Sequence, residues 1–336
     1  MHTLLFVLAG TACGTASATA TFSKSNDLVI AGATTGYWAH ISLATLTPSE
    51  AVVCFNDIAN GFKGTCWHLT VDLADGSIAK GIGLVVNPGT MHYNSLAAVS
   101  SSALNWCYRD TAENYKHNCN HISVSGTTLT AGPDLQVDDN CNYHWATALG
   151  ASGKSISCSD HDAIPTCHVL SASGTTLSTG TGLVVDNAGN SGGFSVSGLS
   201  DSTAIACNSD GTNSKYLTCR VLSVSGTTLT ASPGVVVYEG NSAQAVEVAA
   251  LTSSTAIVCY KNTQNNNAGT CKHLSISGTT ILRSAPLFPE RPGGFFHHAH
   301  RDDLVVSGLL LPQLRQQLLP DLQSYHCGWH IAHEKR

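Results

Sequence analysis

The sequence is poor in charge: Asp, Glu, Lys and Arg make up 11% of its 336 residues, and the formal net charge is −6. It therefore lacks the basic surface that nucleic-acid-binding proteins need, and we predict no nucleic-acid partner. Beyond the N-terminus, no apolar run approaches the roughly twenty residues of a membrane-spanning helix, so we predict no transmembrane segment. No Asn-x-Ser/Thr triplet is present, and N-glycosylation is not expected.

Motifs that would specify a particular chemistry are also missing. The sequence has no phosphate-binding Gly-rich loop, no His-Glu-x-x-His zinc motif and no Gly-x-Ser-x-Gly nucleophile turn. His326, Cys327, His330 and His333 could chelate a borderline metal, but they stand in an irregular C-terminal stretch that we interpret as a flexible tail. We therefore predict no cofactor and no metal.

The N-terminus has the features of a secretory signal peptide. An apolar run from Leu4 to Ala9 is followed by small residues that end in Ala-x-Ala patterns near residue 20, although no Lys or Arg stands near Met1. Secretion would place the protein in an oxidising compartment, where the thirteen cysteines of the chain can form disulfides.

Ten of these cysteines fall into five pairs that recur in steps of 49 to 53 residues and define an internal repeat. The pairs are Cys54 with Cys66, Cys107 with Cys119, Cys158 with Cys167, Cys207 with Cys219, and Cys259 with Cys271. Members of a pair stand nine or twelve residues apart, whereas structural zinc ligands usually stand two to four apart. We therefore predict one disulfide per repeat. Cys13 lies in the predicted signal peptide, and Cys141 and Cys327 also fall outside the pairs.

Each repeat contains four short segments with the alternation and β-branched content of strands. The two cysteines lie on the second and third segments, so the bridge would join neighbouring antiparallel strands. A Ser-Gly or Asp-Gly pair after the third segment predicts a tight hairpin that needs positive φ. The glycines at this point are Gly76, Gly126, Gly174, Gly226 and Gly278.

Five four-stranded units of this period predict an all-β fold, a five-bladed β-propeller with one disulfide per blade. The segment 26–32 matches the fourth-strand pattern, so it could complete the last blade and close the ring. A β-solenoid or a row of small sandwiches remains an alternative. We divide the chain into a signal peptide (1–20), a propeller (21–285) and an atypical tail (286–336).

The repeat number, period and secretion resemble secreted β-propeller repeat proteins, with five-bladed tachylectin-type lectins the nearest architectural analogue. The resemblance covers roughly residues 26–285 and rests on architecture, because no lectin signature is present to match residue by residue. Such lectins bind amino sugars between blades. The resemblance therefore implies an extracellular protein with glycans or glycoproteins as partners.

Rings recur just ahead of the first strand in four of the repeats, where they would share one face of a propeller. They are Tyr37, Trp38, His92, Tyr93, Tyr143, Trp145 and Phe194. Flat amphipathic rings stack on sugars, so we predict that these residues bind ligand. The alternative is that they fill gaps between blades. An acid or amide opens the loop between the cysteines, which we expect on the opposite face and interpret as a turn former.

Glu247 is the one acid in a row that otherwise reads Ser42, Ser95, Trp145 and Ser195. It is a weak catalytic candidate, because a glycoside hydrolase needs two carboxylates around the scissile bond. The sequence thus favours a lectin-like extracellular binding module over a glycan-processing hydrolase or lyase, with a structural or adhesive protein as a third reading. Nothing in it indicates an oligomeric state.

Overall fold

The structure is a computed structural model that describes residues 40–161, 164–187, 193–240 and 244–286. The predicted signal peptide, the segment 26–32, the rings of Tyr37 and Trp38, and Cys327 all lie outside the described residues. Within these ranges no helix is long and apolar enough to cross a membrane.

The described chain is almost entirely β-structure, as the alternating segments predict. The strands are β1 Ile41–Thr47, β2 Glu50–Asp57, β3 Lys63–Val71, β4 Ile78–Lys80, β5 Leu84–Ser100, β6 Ala103–Asp110, β7 Lys116–Ser125, β8 Thr128–Ala131, β9 Leu135–Asp138, β10 His144–Ala148, β11 Lys154–His161, β12 Ile164–Ser173, β13 Thr176–Thr179, β14 Leu183–Val184, β15 Phe194–Gly198, β16 Thr203–Asp210, β17 Tyr216–Ser225, β18 Thr228–Ala231, β19 Val235–Tyr238, β20 Gln244–Thr252, β21 Thr255–Asn262, β22 Ala268–Ser277 and β23 Thr280–Pro286. A single 3₁₀ turn, Ile58–Asn60, stands among the described residues.

Each repeat folds into one antiparallel unit built on three consecutive long strands. Units 1 to 5 begin with β1, the second half of β5, β10, β15 and β20, respectively. The sequence predicted a single fourth strand in each unit, but the structure differs. In unit 4, for example, the edge of β17 pairs with two short strands, β18 and β19. The break falls at residues 232–234, where Pro233 has no N–H to donate.

Strand pairing joins the units into four sheets instead of five, because β5 belongs to two units. Its first half pairs with β3 of unit 1 and its second half with β6 of unit 2. The sequence Asn87-Pro88-Gly89 is typical of a turn, yet β5 continues through it. The pairing of β5 with β3 is irregular here, and its register shifts. Units 3, 4 and 5 form separate sheets.

The five predicted disulfides are confirmed, and each joins the second and third strands of one unit. In chain order the bridges are Cys54 to Cys66, Cys107 to Cys119, Cys158 to Cys167, Cys207 to Cys219, and Cys259 to Cys271. In every unit the two cysteines stand directly opposite each other in the antiparallel register. The bridges of units 1 to 4 are fully buried, whereas both cysteines of unit 5 are partly exposed.

The tight hairpins that follow the third strands form as predicted in units 2 to 5, where two residues connect the paired strands. In unit 1 the connection is longer, because Val71 pairs with Ile78. All five glycines nevertheless have positive φ, between 56° and 72°.

Hydroxyl groups connect the first strands of successive units at each of the four described junctions. The backbone N–H of Leu96 donates to Ser42 Oγ, and that of Ala146 donates to Ser95 Oγ, both at 2.9 Å. Equivalent bonds reach Thr147 Oγ1 at the third junction, and Ser195 and Ser197 Oγ at the fourth. The first strands of units 1 to 5 therefore lie side by side in chain order.

A second set of contacts joins successive units near their hairpins. A Cβ placed on Gly81 would approach the Thr127 carbonyl oxygen of the next hairpin to 2.6 Å. Gly132 meets Thr175 in the same way, and Gly180 meets Thr227. Only glycine leaves room for so close an approach of two backbones. Apolar side chains fill the space between these two sets of contacts, in clusters that combine strands of adjacent units.

Candidate functional site

The candidate site lies at the end of the units where the first strands begin. Because the strands of a unit are antiparallel, the turn between the second and third strands is at this same end. The expectation that the loop between the cysteines occupies the opposite face was therefore wrong. In unit 2, His92 pairs with Arg109, and Arg109 pairs with His117 at the start of the third strand.

Three rings occupy equivalent positions in units 1, 2 and 3 and touch one another in sequence. His40, Tyr93 and Tyr143 each stand two residues before the residue that faces the first cysteine. The ring centroids of His40 and Tyr93 are 4.2 Å apart, and those of Tyr93 and Tyr143 are 4.7 Å apart with the rings edge to face. Such distances are typical of favourable ring pairs. We call His40, Tyr93 and Tyr143 the ring row.

The ring row ends after Tyr143, because units 4 and 5 have Gly193 and Ala245 at the equivalent position. A Cβ on Gly193 would come within 2.8 Å of the backbone nitrogen of Val246, so a larger residue has no room there. The row is thus confined to three of the five units.

His40 was not among the predicted site residues, and three further predicted rings lie beside Tyr93 and Tyr143 or next to Trp145. The Trp145 ring lies 6.2 Å from that of Tyr143 and 5.0 Å from that of Phe194, whereas the His92 ring is 6.5 Å from that of Tyr93. Tyr93, Tyr143, Trp145 and His92 are partly exposed. Phe194 is 1% exposed and belongs to the apolar cluster between units 3 and 4, so its ring supports Trp145 from below the surface.

The backbone at Tyr93 has an unusual conformation. Its φ is 44°, in the left-handed region that bulky residues rarely adopt, and β5 shifts register between His92 and Asn94. Ala245 repeats this bulge in unit 5 with a φ of 46°. Bulges re-aim side chains, and strained positions cluster at functional sites. Here the bulge places the Tyr93 ring between its two neighbours in the row.

Arg109 is the cation of this surface, and sequence reasoning missed it. Its guanidinium carbon lies 4.7 Å from the ring centre of Tyr93 and 4.9 Å from that of Tyr115. Asn56, Asp160, Ser209 and Lys261 stand at the same place, two residues after the first cysteine, in the other units. A comparison of this position among the repeats would have identified Arg109 as a candidate. Its contacts with Tyr93 and Tyr115 could not have been predicted, because the two tyrosines are distant in sequence and only the fold brings them together.

Glu247 stands opposite Cys259, at the position held by Ser95 in unit 2 and Ser195 in unit 4. Its Oε2 accepts a hydrogen bond of 3.1 Å from Ser195 Oγ. Burial raises the pKa of Glu247 to about 7, and the bond from Ser195 opposes that shift. No other residue that faces a first cysteine is an acid, so this row supplies one carboxylate and not the pair of a glycosidase.

Buried histidines and the free thiol of Cys141 form a cluster between units 2 and 3. Cys141 Sγ lies 3.1 Å from His144 Nε2, and the rings of His144 and His117 are 4.2 Å apart. Burial raises the pKa of Cys141, so the thiol stays protonated and unreactive. Burial and the nearby Arg109 lower the pKa of His144 to about 3.

One group of side chains has metal-ligand spacing, because ligand atoms of Cys107, His117 and Cys119 lie within 4.8 Å of one another. The two sulfurs are bonded to each other, however, so neither is available as a thiolate ligand. His117 Nε2 instead lies 2.9 Å from Ser157 Oγ.

Some of the residues that open the turns between cysteines bond to the backbone that follows them, as the sequence predicts, whereas Asp57 makes no side-chain cap and Asp160 accepts from the backbone N–H of Tyr143. Asp110 Oδ1 accepts hydrogen bonds from the backbone N–H groups of Ala112 and Glu113. Asn262 Oδ1 accepts equivalent bonds in unit 5. Asp110 thereby shapes the turn of unit 2, which borders the ring row, and Asn262 shapes the corresponding turn of unit 5.

Comparison with known proteins gives a fold but no family. No protein-family model and no curated protein matches the chain. A protein described as a 6-phosphogluconolactonase from Bacteroides uniformis is similar in structure, with 8% identity, coverage of 75% of this chain and 71% of that one, and a TM-score of 0.54. AofleA from Arthrobotrys oligospora shares 8% identity, with coverage of 74% and 70% and a TM-score of 0.46.

A mutant of the Aleuria aurantia lectin AAL, in complex with Fucα1-6GlcNAc, shares 10% identity, with coverage of 74% of this chain and 79% of that one and a TM-score of 0.44. These structural neighbours are propeller-like proteins. The chain is therefore similar in fold to propeller-like proteins: it is all-β, built from several antiparallel sheets and bridged by five disulfides.

Proposed function

We propose that this protein is a secreted carbohydrate-binding protein whose ligand lies on Tyr93 and Tyr143 of the ring row and on Trp145, with the buried His40 packed behind Tyr93. The observation that carries the proposal is the placement of His40, Tyr93 and Tyr143 at the same position of three consecutive units, in contact with one another. Packing of the core alone does not account for a row of touching rings along one end of the molecule, with both tyrosines partly exposed.

Aromatic rings suit sugars because their flat apolar faces cover the C–H faces of a pyranose while nearby polar groups bind its hydroxyls. The Tyr143 and Trp145 rings are close enough to contact consecutive residues of one saccharide. Since the rings touch across unit boundaries, we propose one extended site on units 1 to 3 in place of a separate site in each unit.

We further propose that the five units close into a five-bladed propeller. The side-by-side first strands of units 1 to 5 support closure, and the strand-like pattern of residues 26–32 suits the edge of the last unit. The five confirmed disulfides support secretion, because such bridges persist in oxidising compartments.

The test is a glycan array probed with the oxidised protein, followed by calorimetry on each glycan that binds. Three single variants remove rings: Tyr93→Asn, which tolerates the positive φ, Tyr143→Ala and Trp145→Ala. We expect each to weaken binding about tenfold or more, as loss of an aromatic anchor does. Trp67→Ala is the matched control, because Trp67 is a partly exposed tryptophan on β3 that contacts Lys80 and not the ring row.

Unchanged affinity in all three folded ring variants would refute the site. Absence of glycan binding by the folded wild-type protein would refute the function.

A second candidate, a glycan-processing hydrolase or lyase, is favoured by one observation, the Glu247 carboxyl with its pKa raised to about 7. Such a pKa suits a general acid near neutral pH. Release of reducing ends from a bound glycan, abolished by Glu247→Gln with binding retained, would support catalysis. Intact glycan after prolonged incubation with the wild-type protein would exclude it for that substrate.

A further inference from the structure

Arg109 lies at the edge of the ring row. Its guanidinium carbon lies over the rings of both Tyr93 and Tyr115, and these two cation–π contacts restrain the side chain. Stacking leaves the N–H edge of a guanidinium free to donate hydrogen bonds. One such bond is present, a long contact of 3.5 Å from Nη1 to the carbonyl oxygen of Asn142.

The charge of Arg109 has no counterion among the described residues. Three arginines lie in those residues, and the other two are paired: Arg220 with Asp210 at 3.0 Å, and Arg283 with Glu239 at 3.6 Å. The Nε atom of Arg109 is buried and has no hydrogen-bond partner within the described structure. A partly buried cation with open donors is costly unless a ligand satisfies it.

Asp160 and His92 are two titratable groups close to Arg109. The carboxylate of Asp160, at the equivalent position of unit 3, accepts a hydrogen bond of 2.7 Å from the backbone N–H of Tyr143. Burial lowers the pKa of His92, and the positive charge of Arg109 lowers it further. The imidazole is therefore neutral near pH 7. Arg109 therefore forms no ion pair within the described residues, and the carboxylates of Asp138 and Asp160 act on the Cys141 thiol from the same region.

We propose that Arg109 binds the carboxylate of an acidic sugar, a uronic or a sialic acid, while Tyr93 and Tyr143 pack against the sugar rings. This inference rests on the proposed function and specifies its ligand class. A carboxylate matches the planar guanidinium fork with two parallel hydrogen bonds. The contacts with the two tyrosines restrain the guanidinium before a ligand arrives, which reduces the conformational entropy lost on binding.

The experiment compares each acidic sugar with its neutral methyl ester, which has the same ring faces and nearly the same size. The probes are trigalacturonic acid and 3′-sialyllactose, each as the free acid and as the methyl ester, titrated by calorimetry into the oxidised full chain. We expect the wild-type protein to bind at least one acid about 10- to 100-fold more tightly than its ester, as for a hydrogen-bonded charge pair. Added salt should reduce that preference.

Arg109→Gln should abolish the preference for the acid and leave binding of the ester in place, whereas Arg109→Lys should keep part of the preference. Arg283→Gln is the matched control, because Arg283 is an exposed arginine of unit 5 that already has an acidic partner, and its loss should change nothing. Non-reducing mass spectrometry and circular dichroism confirm that each variant keeps its disulfides and its β-structure.

The outcomes separate this inference from the proposed function. If the wild-type protein binds acid and ester equally, or if Arg109→Gln retains the preference, the Arg109 site is wrong and glycan binding by the rings stands. If the array shows only neutral glycans bound, the acidic ligand class is wrong in the same way. If no glycan binds at all, the proposed function fails and this inference fails with it.

Discussion

Removal of one disulfide should destabilise the protein by a predictable amount. We consider Cys207→Ala with Cys219→Ala, which deletes the bridge of unit 4. The two cysteines are 12 residues apart in sequence and fully buried in the cluster between units 4 and 5. The chain-entropy relation gives about 3 kcal/mol for closing a loop of this length in the unfolded chain. The lost sulfur contacts add to that cost.

Urea unfolding under non-reducing conditions, followed by circular dichroism, measures the loss. The bridge of unit 3 provides an internal comparison, because Cys158 and Cys167 are only nine residues apart. The same relation predicts a loss for that pair within about 0.3 kcal/mol of the unit 4 value. A loss below about 1 kcal/mol in both double variants would refute the view that these cross-strand bridges stabilise the units by constraining the unfolded chain.

Three further predictions concern contacts between units. Gly132→Ala should cost about 1–3 kcal/mol in the free energy of unfolding, since its Cβ would overlap the Thr175 carbonyl oxygen, and an unchanged urea midpoint would contradict the close approach. Stability should fall as pH decreases below about 6.5, because His144 resists protonation when folded but not when unfolded. His144→Gln should make the slope of stability against pH shallower by about 1 kcal/mol per pH unit, and an unaltered slope would refute the assignment. Ser195→Ala should raise the pKa of Glu247 further, because the hydroxyl no longer donates to its carboxylate, and a pKa that falls in carboxyl-carbon NMR titration would contradict this.

Most of the repeating architecture could be predicted from the sequence because it depends on local pairing. The spacing of Cys207 and Cys219 is that of two residues facing each other across a hairpin, and they do face each other. Gly226 adopts the positive φ that its Ser-Gly turn requires. The fourth strand was predicted less well, because whether the chain stops or continues at Pro233 or Pro88 depends on the neighbouring edge and not on the local residues.

The candidate site could be predicted only in part. The recurrence of rings ahead of the first strand was visible, but their mutual contacts depend on how successive units pack, which no local pattern encodes. The burial of Phe194 and the contacts of Arg109 with Tyr93 and Tyr115 depend on the same packing. The loop between the cysteines was expected on the face opposite the rings. That expectation could have been corrected from the sequence alone, because consecutive antiparallel strands place this loop at the end where the first strand begins.

The most direct test of ring-row binding is a titration of the indole N–H signals of the tryptophans, observed by ¹⁵N NMR, with a glycan that the array identifies. The account predicts that the Trp145 signal shifts and saturates together with the calorimetric isotherm, while the signal of Trp67 stays unchanged. A saturable shift of Trp67 with a stationary Trp145 would place the ligand elsewhere and contradict the central claim.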